Sequence, residues 1–141
     1  MSPRESNSDH LSRSLSGDRA IIEATEAARE FGESQWLNDD ELARLCVVVE
    51  ELVANLYDHG GLSAKDEVAL DFQVEPEGIR VCISDTGAAF DPWQAPRKAG
   101  APERGGNVGI DIVREWASYI SYSPSPDGNR LEFLLPVRWD R

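Results

Sequence analysis

Three short stretches of the chain carry residue types that could do chemistry at the spacing they occupy. The first is Glu51, Asn55 and His59, each four residues from the next within Val47–Gly61. At that interval side chains stack along one side of a helix. A carboxylate one turn before a carboxamide suits metal and phosphate chemistry. The amide oxygen is a hard ligand for Mg²⁺, and the carboxylate can take a proton from an attacking hydroxyl. The same pair also occurs on helix faces that do nothing more than meet solvent. The second stretch is Ser84-Asp85-Thr86-Gly87. A carboxylate at the end of a strand, with glycine two residues on, sets an acceptor beside bare backbone that a flat ligand can approach. Asp and Gly are equally at home in an ordinary turn. The third is Arg104-Gly105-Gly106-Asn107-Val108-Gly109, which leads into a helical pattern. A glycine-rich run feeding a helix N-terminus presents free backbone N–H groups to a phosphate.

These stretches need elements to hold them. Around the first, Leu42, Leu45, Val49, Leu52, Val53 and Leu56 repeat at the helical period and predict one buried stripe. Asn38 with Glu41 three residues later reads as a capping box that starts this helix, and Gly60-Gly61 as its stop. An earlier helix is predicted from a cap at Asp18 to about Glu33, with Ile21, Ala24, Ala28 and Phe31 at helical spacing. Residues 10–16 read as a short edge strand. Val68, Leu70, Phe72 and Val74 alternate with polar residues, as do the residues of Ile79–Ile83, and Pro76-Glu77-Gly78 joins the two as a hairpin. Residues 91–106 lack any period, and a loop that long in a small domain is usually functional. A helix starting after Gly109 places Ile110, Val113, Trp116 and Ala117 on one face. The chain closes with Tyr119–Tyr122, the turn Asp127-Gly128 and a strand over Arg130–Val137, a second hairpin.

This order predicts an α/β (α+β) two-layer sandwich: a mixed, mostly antiparallel sheet with helices on one face. The 141 residues form one domain over 11–141 behind a disordered tail at 1–10, with no internal repeat. The formal net charge of −12 argues against a nucleic-acid or anionic-membrane partner and suits a basic protein partner. No apolar run approaches the ~20 residues of a membrane span. The polar N-terminus lacks the apolar core of a secretory signal, so the expected location is cytoplasmic. Cys46 and Cys82 lie in apolar periodic segments and read as buried thiols. Two histidines far apart give no zinc pattern. Trp36, Trp93, Trp116 and Trp139 read as core or interface residues.

Taken together and in order, the three stretches resemble the motifs of the GHKL superfamily, which includes DNA gyrase, heat-shock chaperone ATPases, histidine kinases and mismatch-repair proteins. Glu51-x-x-x-Asn55 resembles the N box, Asp85-x-Gly87 with Phe90 the first glycine box, and Arg104–Gly109 the second. Within the superfamily the chain is most similar to the short bacterial anti-sigma factor serine/threonine-protein kinases. Two helices lead up to and carry the N box, which ends in His59-Gly60, and Gly128-Asn129 opens the closing strand. The resemblance covers roughly residues 11–137.

It implies a GHKL-type ATPase fold that binds ATP with Mg²⁺. By that likeness Glu51 is the general base, Asn55 the Mg²⁺ ligand, and Asp85 the acceptor for the adenine amino group, with Gly87 allowing close approach. Residues 91–106 become the lid, and Gly105, Gly106 and Gly109 cradle phosphate, with Phe90, Arg104 and Val108 also in the nucleotide site. The implied substrate is an anti-sigma factor antagonist, the implied regulated partner a sigma factor, and the implied assembly a homodimer. Two departures stand out. Ala89 replaces a frequent glycine, and Gly105-Gly106-Asn107-Val108-Gly109 replaces the commoner Gly-x-Gly-Leu-Gly. A non-catalytic module that binds nucleotide and partner is the alternative. A sensor histidine kinase is disfavoured, because no dimerisation helix with a phospho-accepting histidine precedes the domain.

Overall fold

The computed structural model describes residues 9–59, 62–63, 65–87 and 107–140. Among the described residues five strands and three α-helices follow one another: β1 (His10–Ser16), α1 (Ala20–Ser34), α2 (Asp39–His59), β2 (Glu67–Glu75), β3 (Gly78–Asp85), α3 (Asn107–Trp116), β4 (Ser118–Ser123) and β5 (Asn129–Pro136). The strands form one sheet in the order β1-β2-β3-β5-β4. Each described ladder is antiparallel. Helix-facing side chains of the strands, among them Val68, Leu70, Phe72, Val81, Ile83, Leu131 and Phe133, join one core with residues of all three helices. This is the two-layer sandwich that the order of elements predicts.

The α1–β2 contact rests on Phe31 and Phe72, stacked with ring centroids 5.3 Å apart. The predicted stripe of α2 is buried at Leu45, Val49, Leu52, Val53 and Leu56, with Leu42 packing at its margin. The capping box forms in both directions. Glu41 N donates to Asn38 Oδ1 at 2.7 Å, and Asn38 N donates to Glu41 Oε1 at 3.1 Å. Glu41 has a further role that its local pattern does not reveal: its Oε2 accepts from Arg138 N at 3.1 Å. The start of α2 is thereby tied to the C-terminal segment. That segment is pinned again where Trp139 Nε1 donates to the Glu75 carbonyl at 2.8 Å.

Helix α1 begins differently from the sequence expectation. A 3-10 turn over Gly17–Arg19 precedes it, Arg19 is the cap residue, and no side chain caps the helix. Asp18 lies inside that turn, where its carboxylate still meets the positive end of the helix dipole. At the other end, Leu37 N donates to Gly32 O and Trp36 N to Glu33 O, the paired pattern of a Schellman closure. Trp36 takes the left-handed position usually given to glycine, with φ of 62°, and stands 81% exposed. It is therefore no part of the core, unlike Trp116 and Trp139, which pack against it.

Cys46 and Cys82 are free and buried, and burial pushes both thiols up. No helix is long and apolar enough to cross a membrane among the described residues. The strand β1 includes His10, whose ring meets Asp71 on the open face of the sheet. The predicted Gly60-Gly61 stop and the 91–106 loop fall outside the described residues, as do Phe90, Trp93, Arg104, Gly105 and Gly106.

Candidate functional site

The site is assembled from one end of the sheet and the facing turns of α2 and α3. Asp85 is the last residue of β3 and continues the helix-facing register of Val81 and Ile83. It is 6% exposed. Its Oδ1 accepts from Gly87 N at 2.8 Å and from Asn129 Nδ2 at 3.1 Å. Asn129 Nδ2 also donates to the Gly87 carbonyl at 2.9 Å, so one amide group closes the Asp85–Gly87 turn from across the sheet. Asn129 is the ladder partner of Asp85 and is itself buried. Before it, Gly128 adopts φ of +143°, and a Cβ there would stand 2.9 Å from the Asp85 carbonyl oxygen. The turn into β5 therefore requires glycine twice over, for its backbone angle and for its close approach.

A cavity of about 600 Å³ opens at these strand ends. Asp85, Thr86, Gly128 and Asn129 line it, with Lys65 and Arg130 at its sides. The carboxylate of Asp85 is felt by Tyr57 on the last turns of α2. Burial raises that hydroxyl's pKa first, with Asp66, Asp85 and Glu67 adding to the shift. The Tyr57 hydroxyl donates to the Asp66 carbonyl at 3.2 Å, which anchors the end of α2 to the start of β2.

On α2, Glu51 and Asn55 do share a side, but that side is not open to water. Asn55 is 7% exposed, and its Nδ2 is buried with no hydrogen-bond partner among the described residues. An unpaired buried amide costs about 1–3 kcal/mol, so some compensating contact is expected of it. Glu51 is half-buried, and its pKa is raised, first by desolvation and then by the neighbouring charges of Glu50 and Asp58. Both features make a carboxylate a stronger proton acceptor.

Helix α3 starts at Asn107, earlier than its apolar period indicates, so Val108 and Gly109 lie in its first turn and not in a preceding loop. Within that turn Gly109 is buried, as is Ile110 after it. A Cβ on Gly109 would lie 1.7 Å from Glu51 Oε1, so the glycine is what lets α3 close over the carboxylate. Lower down, the Arg44 guanidinium sits 5.5 Å from the Trp116 ring centroid and fastens the other end of α3 to α2.

The structure thus brings Glu51 and Gly109 together at the α2–α3 junction, with Asn55 one turn further along α2, and Asp85 and Gly87 to the sheet end. Asn129 completes the second group, although the sequence marks it only as the start of a closing strand. Its turn signal, Asp127-Gly128, was visible; its register opposite Asp85 was not. Among the described residues no group of three or more His, Cys, Asp or Glu side chains gathers as a metal site. The residues present fit a nucleotide with Mg²⁺ in another way. Such sites use one or two protein oxygens and take the remaining ligands from phosphate and water. The Asn55 carboxamide, whose Nδ2 has no partner among the described residues, is a group of that kind, since a half-turn exchanges its oxygen and nitrogen.

A search among curated proteins returns no match. The family model for the histidine kinase-like ATPase domain matches residues 16–135, which spans everything from the end of β1 to β5. With the match running through both halves of the site, the chain belongs to the histidine kinase-like ATPase domain family, within the GHKL superfamily.

Proposed function

We propose that the protein is an ATP-dependent anti-sigma factor serine/threonine-protein kinase that phosphorylates an anti-sigma factor antagonist and controls a sigma factor by partner switching. The observation that carries this reading is Glu51. It is a desolvated carboxylate with raised pKa, in contact range of the first turn of α3 and one helical turn from the buried Asn55 amide. A module that only bound nucleotide would have no need of a base in that position.

In this reading Asp85 would accept a hydrogen bond from the adenine amino group, and Asn55 would hold the Mg²⁺ that accompanies the nucleotide. The metal's contribution is to offset charge on the phosphate oxygens. Glu51 takes the proton from the acceptor serine or threonine hydroxyl. The new O–P bond forms as the bond to the bridging oxygen breaks, and ADP leaves with that electron pair. Gly109 keeps the first turn of α3 close enough to shelter Glu51 from water. The remaining predicted phosphate-cradling residues, Gly105 and Gly106, together with Phe90, Arg104 and Val108, are proposed to complete the nucleotide site.

The acceptor is a separate folded protein, because so short a domain leaves little surface for a peptide groove beside the nucleotide. A phosphate adds roughly −1.5 to −2 charge to it. Against a chain of net charge −12 this disfavours rebinding of the product, and the same acidic surface suits basic elements of a sigma factor. A homodimer is proposed on resemblance alone.

The test is phosphotransfer from labelled ATP to purified candidate antagonists. Phosphoserine or phosphothreonine is expected on one of them. Glu51→Ala should lower the rate by about 10²–10⁴-fold, the usual worth of a positioned base, while leaving ATP binding intact. ATP binding with no transfer to any protein that demonstrably binds would favour the non-catalytic module.

A further inference from the structure

The two oxygens of the Asp85 carboxylate are not equivalent. Oδ1 is held by two donors, Gly87 N and Asn129 Nδ2, whereas Oδ2 accepts from none of the described residues. A carboxylate with no such restraint turns freely about its last bond and offers either oxygen, or neither, to a ligand. Asn129 removes that freedom. Its side chain is 4% exposed, and its Nδ2 bridges Oδ1 and the Gly87 carbonyl. The bridge spans β3 and β5, so the sheet itself holds the carboxylate plane. Close approach of Gly128 to the Asp85 carbonyl leaves the backbone little room to follow a rotated side chain.

We propose that Asn129 is a specificity-determining positioning residue: it commits Oδ1 to the protein and leaves Oδ2 as a fixed, single acceptor for the exocyclic amine of a purine. The proposal rests on the nucleotide-binding reading of the site and adds the origin of base preference to it. A ring bearing an amine in that place gains a charge-assisted hydrogen bond. One bearing hydrogen leaves a buried oxygen unpaired, and one bearing a keto oxygen sets two acceptors against each other. A carboxylate that could swing aside would escape both penalties and so discriminate less. Asn129 touches no ligand in this scheme and acts through Asp85.

Calorimetric titration of the full chain with ATP and with purine riboside triphosphate, which lacks the 6-amino group, reads the effect as a ratio of affinities. The wild type should favour ATP by on the order of 10- to 100-fold. Asn129→Thr and Asn129→Val differ by a hydroxyl against a methyl at nearly equal volume, and both suit a strand position. The threonine variant keeps a donor for Oδ1 and should stay within about threefold of the wild-type ratio. The valine variant should lose about tenfold of it. Asn129→Ser and Asn129→Ala give the same contrast with less bulk if the branched pair folds poorly. A merely structural role would weaken both nucleotides together and leave the ratio alone. Equal ratios in the donor and non-donor variants would overturn the proposal while leaving nucleotide binding standing. No heat from either nucleotide with the wild type at millimolar concentration would overturn the nucleotide reading and this inference with it.

Discussion

The two halves of the site are finished to different degrees. At the sheet end the chain pairs its own polar groups save one, Asp85 Oδ2: Asp85 Oδ1, the Gly87 N–H and carbonyl, and Asn129 Nδ2 all have partners within 3.1 Å. At the α2–α3 junction it does not. Asn55 Nδ2 is buried without a partner, and Glu51 is desolvated beside two like charges, Glu50 and Asp58. Recognition of a base needs a rigid pattern of donors and acceptors before the ligand arrives. Chemistry at a phosphate gains instead from groups whose best partners arrive with the ligand. The difference is what a site divided between selection and reaction should show, and it can be broken or sharpened by substitution at either half.

The largest expected effect on binding lies at the finished half. Asp85→Asn keeps the volume but replaces an acceptor by a group that can present a donor to an incoming amine. Affinity for ATP should fall about a hundredfold, the scale of losing a charge-assisted bond and leaving a buried mismatch. Titration calorimetry with Mg²⁺ present measures it. A change of less than threefold would mean that Asp85 serves the turn alone, and the contrast between the halves would lose its functional meaning.

A smaller difference is expected in stability, and its size differs between the two halves. Asn129→Ala removes two hydrogen bonds, one of them to a carboxylate, and should cost about 2 kcal/mol. Asn55→Ala removes an amide whose Nδ2 is already unpaired and should change stability by less than about 1 kcal/mol, since relief of desolvation offsets the small cavity. It should nevertheless abolish the Mg²⁺-dependent part of nucleotide binding. Urea denaturation of both variants, paired with titrations with and without the metal, separates these outcomes. Equal destabilisation would show that Asn55 is a structural residue.

This contrast also marks where the sequence was legible. The α2 helix could be read almost completely, because its signals are local: the Leu45–Leu56 stripe, and the Asn38/Glu41 box that forms in both directions. The strand and turn ending at Asp85-x-Gly87 were equally plain. What stayed hidden depends on contacts between distant segments. Asn129 opposes Asp85 across 44 residues of sequence, and Gly109 meets Glu51 across a helix–helix junction. Burial of Asn55 was hidden for the same reason: α2's own periodicity places it off the stripe, and tertiary packing covers it. At the α1 start, Asp18 looked like a cap but lies in a 3-10 turn, because cap residues and first-turn acidic residues share one composition.

The smallest effect concerns Glu51 and carries the clearest sign. Its folded-state pKa lies above that of an unfolded chain, chiefly through desolvation and secondarily through Glu50 and Asp58. The folded protein therefore holds the proton more tightly than the unfolded one. Stability falls as pH rises from the ordinary carboxylate range through the raised folded value, and above both values the ionised group acts against folding. Glu51→Gln mimics the protonated form and escapes that penalty. The variant should melt slightly higher than wild type near about pH 7, on the order of one or two degrees for a domain of this size. The gain should vanish near about pH 4, where the wild-type carboxyl is itself largely protonated. Phosphotransfer should be lost at both values, because glutamine accepts no proton. A gain that persists at low pH would trace to packing and not to charge. A loss of stability at neutral pH would show that ionised Glu51 is held by a favourable partner, and the α2–α3 junction would then be as fully satisfied as the sheet end.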